Sequence, residues 1–96
     1  MSDTYKDRVG REVKVGDVVA YATTEGRRPR LRIGKVTFIE RREEVFAIRV
    51  RGVDEEPWDS DEPRLNKSVA NLHDPDRTLK LDTVPEPHAR LLEGVK

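Results

Sequence analysis

The sequence lacks cysteine, has no long hydrophobic run and contains few aromatic residues. Without cysteine, the chain has no disulfide, thiolate metal site or cysteine nucleophile. No apolar stretch approaches the ~20 residues of a membrane-spanning helix, and residues 1–6 lack the apolar segment of a signal peptide. Aromatic residues make up 5% of the chain, which leaves few side chains for base stacking. We therefore expect a cytoplasmic protein without a membrane partner.

What is present indicates one small folded domain. Charged residues make up 40% of the 96 residues and hydrophobic residues 34%. Valine, isoleucine, leucine and phenylalanine nevertheless recur in short alternating runs, which disordered chains lack. A chain of this length has room for a single core. We predict a flexible N-terminal tail over residues 1–9 and a single domain over residues 10–96.

Alternating apolar and polar side chains predict several short strands. The candidates are residues 13–15, 18–22, 31–40, 45–53, 65–72 and 78–82. Gly16-Asp17 predicts a turn, residues 23–29 an exposed loop, and Gly34 a bend within the second long strand. Apolar residues on both faces of that strand indicate a strong bend or cover on both sides. The alternation assigns seven side chains to one core: Val19, Tyr21, Val36, Phe38, Phe46, Ile48 and Val50.

The end of the chain carries helix signals. Thr83-Val84-Pro85-Glu86 has the form of a capping box, and Gly94 suits a helix end. We expect a short C-terminal helix near residues 84–93. Short strands at tight spacing with one terminal helix predict an all-β fold, and closure into a small barrel protects the strand edges best.

One stretch resembles the KOW-type SH3-like barrel. Residues 15–21, Gly26 and residues 34–39 show a Gly-Asp pair before alternating apolar residues, a loop glycine, and a Gly-x-Val-x-x-Ile strand. The resemblance implies a small SH3-like barrel of about five short strands, in which Gly34 lets the second strand curl around the core. It also implies a binding module, because KOW-type domains bind RNA, nucleic-acid enzymes or other proteins. The chain is similar, in compactness and in Arg and Val usage, to small proteins of actinobacterial bacteriophages.

The charges cancel overall but are unevenly distributed. Residues 1–53 carry a net charge of +5 and residues 54–96 a net charge of −5. Positions 27–32 hold four arginines, and the acidic loop 54–62 holds six carboxylates. One interpretation is two solvated loops, since charge runs usually lie on the surface. The other is a pair of binding surfaces.

The basic surface predicts contact with an anionic partner. Its candidate residues are Arg27, Arg28, Arg30, Arg32, Lys35, Arg49 and Arg51. Together they could neutralise several phosphates of DNA or RNA, and arginine suits bidentate phosphate contacts. With so few aromatics, we expect contact with the phosphate backbone and little sequence preference.

The acidic loop predicts a protein contact instead. Trp58 is the only tryptophan, and it lies among Glu55, Glu56, Asp59 and Asp61. An exposed tryptophan amid carboxylates could anchor a basic protein surface. Alternatively, Trp58 covers the open end of the barrel. A third hypothesis is a salt-sensitive homo-oligomer, in which this loop meets the arginine-rich loop of another copy.

An enzymatic function is not expected. His73 and His88 are the only imidazoles, and no triad or phosphate-loop spacing is present. Residues 73–76 predict a turn rather than a metal site, because further ligands would be needed. No metal or cofactor is expected. The leading hypothesis is a non-enzymatic binding module, a phage or bacterial accessory protein that engages a host protein. The alternative is a nucleic-acid-binding domain that acts through Arg27–Arg32.

Overall fold

The computed structural model describes residues 4–25, 27–43, 45–54, 62–66 and 68–95. This part of the chain contains eight strands and one short helix. The strands are β1 (Thr4–Lys6), β2 (Glu12–Lys14), β3 (Val18–Glu25), β4 (Arg28–Arg42), β5 (Val45–Asp54), β6 (Arg64–Leu65), β7 (Ala70–Leu72) and β8 (Thr78–Lys80). A 3-10 turn, Pro75–Arg77, precedes β8, and the helix α1 is His88–Glu93. The prediction of an all-β fold with a short C-terminal helix is confirmed.

Six strands form the main antiparallel sheet around the core. Strands β3, β4 and β5 pair in sequence order, β8 pairs with the outer edge of β3, and β7 pairs with the outer edge of β5. The 3-10 turn thus carries the chain from one edge of the sheet to the other. Strand β6 continues along β5 beyond β7, and β1 and β2 form a separate hairpin. One buried cluster draws side chains from both sheets.

The core differs from the sequence prediction at one aromatic residue. The other core residues assigned from sequence lie in the core or, like Phe46, pack against it. Phe38 does not, because the register between β4 and β5 shifts between Val36 and Phe38. One extra residue in β4 reverses the alternation, so Ile39 turns inward and is 6% exposed. Phe38 therefore lies on the outer face of the sheet.

The predicted flexible tail is wrong for residues 4–7. Tyr5 is 2% exposed and lies opposite the fully buried Val13 in the β1–β2 hairpin. The carboxylate of Asp7 accepts hydrogen bonds from the backbone N–H groups of Val9 (3.1 Å), Arg11 (2.9 Å) and Lys80 (2.7 Å). These bonds fix the turn after β1 and join it to β8, so the N-terminal hairpin is part of the fold.

The C-terminal helix begins later than predicted. It starts at His88 after Pro87, and no side chain caps it, so the expected capping box over residues 83–86 does not form. The helix contacts β4, β5 and β6. Leu92 of α1 and Val53 of β5 are both buried outside the main core cluster. Helix α1 therefore covers part of the second face of the sheet.

The glycines act in two ways. Gly16 has a φ of +100°, and the Asp17 carboxylate accepts the Lys14 N–H at 3.0 Å, as expected of the predicted turn. Gly34 serves close packing: a Cβ there would lie 2.6 Å from Cγ1 of Val50 and 2.7 Å from the carbonyl oxygen of Arg51. Strand β5 can approach β4 this closely only because position 34 has no side chain.

Candidate functional site

The ends of β3 and β4 extend beyond the rest of the sheet as a two-stranded ribbon, defined as residues 22–25 and 28–33. Strand β8 pairs with β3 only over Val19–Tyr21, and β5 pairs with β4 only from Gly34 onward. From the Ala22–Leu31 pair outward, the two strands have only each other as strand partners among the described residues. Arg32 and Ile33, which pair with Tyr21 and Ala20, form the base of the ribbon. The exposed loop predicted at residues 23–29 is thus wrong, since most of it is this hairpin.

The ribbon has one basic face and one apolar face. Successive strand residues point to opposite sides, so Arg28, Arg30 and Arg32 share one face. Pro29, Leu31 and Ile33 share the other, where Leu31 is 69% exposed. Arg28 and Arg30 are exposed, and so is Arg27 at the turn. Three arginines predicted from sequence are therefore together at one end of the molecule.

Arg32 has a different role from the other ribbon arginines. Its guanidinium forms an ion pair with Asp54 at 2.6 Å, and the two side chains are only 16% and 24% exposed. Asn66 donates a second hydrogen bond to the same carboxylate at 3.2 Å. Asp54 ends β5, so the pair joins the base of the ribbon to the sheet. The charge of Arg32, one of the predicted binding residues, is therefore matched within the fold.

The remaining three basic candidates lie on the outer face of β4 and β5. Lys35 lies directly opposite Arg51, and Phe38 opposite Arg49. In β4, Lys35 has the opposite orientation to the ribbon arginines, because it is an odd number of residues away. The sequence placed all seven cations on one surface, whereas the alternation along β4 divides them between two faces.

Each cation of this outer face has a distinct local environment. The Lys35 ammonium donates to the carbonyl oxygens of Leu92 (3.4 Å) and Val95 (3.0 Å), at the C-terminal end of α1. The Arg49 guanidinium carbon lies 4.7 Å from the centre of the Phe38 ring, a cation–π contact. Arg51 is half-buried, and its Nε has no hydrogen-bond partner.

The predicted protein-binding residues lie outside the described part of the chain. They are Glu55, Glu56, Trp58, Asp59 and Asp61. Of the acidic loop predicted over residues 54–62, only Asp54 and Glu62 are described, and Asp54 is the ion-pair partner of Arg32.

Two cavities were not predicted from the sequence. One, of about 500 Å³, lies between the N-terminal hairpin and Phe46 and is lined by charges of both signs. Burial raises the pKa of Tyr5 in its wall. The other, of about 440 Å³, lies beside Arg51 and the end of α1. Each is assembled from several distant segments, so no local motif could have indicated either one.

The two histidines lie apart. Nδ1 of His73 is 3.1 Å from the carbonyl oxygen of Phe46, and His88 is buried at the start of α1. Within the described ranges, no three His, Asp or Glu side chains form a group that could hold a metal ion. The helix found in these ranges is too short to cross a membrane.

Comparison with known proteins identifies a family but no activity. The model of DUF7205, a domain of unknown function, matches residues 5–70. The match begins within β1, includes the ribbon and β5, and ends at the start of β7. No curated protein and no solved structure matches the chain. Because the family match covers more than half of the sequence, this chain belongs to the DUF7205 family.

Proposed function

We propose that this protein is a non-enzymatic nucleic-acid-binding module that contacts the phosphate backbone of duplex DNA through its β3–β4 ribbon. The observation that carries the proposal is the group of three exposed arginines, Arg27, Arg28 and Arg30, at the end of that ribbon. The other predicted partner, a host protein, depends on Trp58 and its neighbours, outside the described residues.

The dimensions of the ribbon suit a groove of DNA. Its four paired rows, from Ala22–Leu31 to Glu25–Arg28, extend about 10 Å at ~3.3 Å per residue. A two-stranded ribbon fits the major groove of B-DNA, which is about 12 Å wide. The major groove of A-form RNA is too narrow to admit side chains. Duplex DNA is therefore the nucleic acid that the ribbon fits best.

The spacing of the arginines suits phosphates. Arg28 and Arg30 lie on the same face of β4, two residues apart, which corresponds to ~6.6 Å along the strand. Arginine binds phosphate through paired N–H donors, and such contacts position a protein on DNA without reading its sequence. We therefore expect similar affinity for duplexes of different sequence.

A net charge of zero is compatible with DNA binding, because the charge that attracts DNA is the local charge of the ribbon. Residues 22–33 contain four arginines and one glutamate, and Asp54 neutralises the arginine nearest the sheet. The outer part of the ribbon is thus positive while the acidic residues lie mainly in the second half of the chain. Local fields of this kind steer association even when the total charge is zero.

Salt-dependent binding tests the proposal. Each arginine–phosphate contact contributes about 0.9 to the slope of log K against log salt concentration. The triple variant Arg27→Ala/Arg28→Ala/Arg30→Ala should reduce the slope for a 20-base-pair duplex by about 2–3. Fluorescence anisotropy between 20 and 200 mM NaCl measures it.

A second triple variant with the same loss of charge is the control. Arg8, Arg77 and Arg90 are exposed and lie outside the ribbon, so their replacement by alanine should leave most of the slope intact. Equal slopes for the two triple variants would mean that only total charge matters and would contradict a ribbon interface. Absence of binding at 20 mM salt would reject nucleic acid and favour a protein partner.

A further inference from the structure

The cavity beside Arg51 lies on the opposite face of the sheet from the ribbon arginines. It has a volume of about 440 Å³ and is lined by Thr37, Arg51, Leu65, Val69, Gly94 and Val95. Volumes of this size are typical of small-molecule sites. Its walls come from β4, β5, β6 and the segment after α1. The cavity therefore forms only when these distant segments pack together in the folded chain.

Arg51 is an unmatched cation in this cavity. Its Nε is shielded from solvent and has no hydrogen-bond partner, which is rare for a buried donor. Lys35 lies directly opposite on β4, and like charges in such a pair repel each other. The Lys35 ammonium is occupied by the carbonyl oxygens of Leu92 and Val95. No described carboxylate pairs with Arg51, so a bound anion would satisfy its donor and its charge together.

The other residues that line the cavity indicate which chemical group carries the negative charge of the ligand. Leu65, Val69 and Val95 supply an apolar wall, and Val69 is 38% exposed. The Thr37 hydroxyl donates to the carbonyl oxygen of Arg49 at 3.3 Å, so its proton is already used within the sheet. One unmatched guanidinium suits a single negative charge better than the two charges of a phosphate monoester.

We propose that this cavity binds a carboxylate attached to a branched apolar group. The carboxylate pairs with the Arg51 guanidinium, and the apolar group covers Leu65 and Val69. Two sources share this chemistry: the C-terminal residue of a peptide and a free carboxylic acid. The site is separate from the ribbon, so it does not depend on DNA binding.

Titration of the intact protein with 4-methylpentanoate, followed by NMR of backbone amides, tests the proposal. We expect saturable shifts at Leu65, Val69 and Val95, with a Kd on the order of 1 mM for a ligand this small. The uncharged isostere 4-methylpentanamide should bind at least about tenfold more weakly, because it lacks the charge-assisted hydrogen bonds. A second arm uses acetyl-alanyl-leucine: tighter binding than 4-methylpentanoate identifies a peptide C-terminus, and equal or weaker binding a free acid.

Two variants locate the carboxylate. Arg51→Gln should weaken 4-methylpentanoate binding about tenfold. Arg49→Gln removes the same charge from the same strand outside the cavity lining and should leave the Kd within about twofold. Equal binding of acid and amide to the wild type would overturn the proposal, whether or not Arg51→Gln folds. Inorganic phosphate that binds as tightly as the acid, or no saturable shift at all, would also overturn it.

Discussion

Gly52 shows how a single residue limits the packing of the core. A Cβ at this position would overlap the hydroxyl oxygen of Tyr21, and Tyr21 is 2% exposed. Burial also raises the pKa of Tyr21, as expected for a phenol fixed in the core. Neither strand can move away without breaking its pairing with β4.

Replacement of Gly52 by alanine tests this constraint. Gly52→Ala should lower the free energy of unfolding by about 3 kcal/mol, because overpacking forces backbone or ring displacement. Gly94→Ala is the matched control, since nothing lies within 4 Å of its added Cβ and its φ of −79° suits any residue. Urea denaturation measures both. A loss below about 1 kcal/mol for Gly52→Ala would mean that Tyr21 moves aside at little cost.

The sequence predicted residue placement well wherever the alternation was unbroken. Val19 and Tyr21 in β3, and Ile48 and Val50 in β5, are buried as expected. Phe38 and Ile39 exchange roles because of the irregularity after Val36, and no residue pattern marks a bulge in advance. Tyr5 escaped prediction because its strand has only three residues, too few for periodicity.

At the scale of elements, Asp7 connects the N-terminal hairpin to β8. Burial alone would raise the pKa of this carboxyl group, but hydrogen bonds from the backbone N–H groups of Lys80, Arg11 and Val9 outweigh it and hold the pKa below its usual value. A carboxylate whose pKa is lower in the folded than in the unfolded chain stabilises the fold above the unfolded pKa, near 3.9. That stability is lost as the pH falls through the folded pKa.

Asp7→Asn should remove this acid dependence. The asparagine NH₂ cannot accept the Lys80 N–H, so we expect a loss of about 2 kcal/mol in the free energy of unfolding at pH 7. The difference from the wild type should shrink as the pH falls below about 4. Urea denaturation from pH 7 to pH 2.5 measures the curve, with exposed Asp76→Asn as the control. A constant difference across this range would contradict the role of the Asp7 charge.

Sequence predicted least well the features that are built from segments distant along the chain. The arginine-rich segment was evident from its composition, but its hairpin form depends on pairing with residues 22–25. The Arg51 cavity requires β6 and the segment after α1 to meet on one face of the sheet, which no local pattern encodes. Helix α1 begins at His88, later than the sequence predicted, because Thr83 does not cap it.

Across the whole molecule, the ribbon divides into an exposed end and an anchored base. Arg27, Arg28 and Arg30 are exposed. The Arg32 side chain is only 16% exposed and forms an ion pair with Asp54 where the ribbon joins the sheet. Exposed side chains contribute little to stability, but removal of one partner from a shielded ion pair leaves an uncompensated charge. The same residue type in one segment should therefore serve binding at one end and stability at the other.

Comparison of stability with binding tests this division. Arg32→Gln should lower the free energy of unfolding by about 2 kcal/mol, because Asp54 loses its partner. It should reduce the salt slope for DNA by less than about 0.9, since Arg32 is paired with Asp54 and is not among the proposed phosphate contacts. The triple variant Arg27→Ala/Arg28→Ala/Arg30→Ala should show the reverse, with stability within about 0.5 kcal/mol of the wild type. Urea denaturation and anisotropy on the same samples measure both quantities. Stability loss in the triple variant as large as in Arg32→Gln would make the whole ribbon structural and remove the basis for a binding surface at its end.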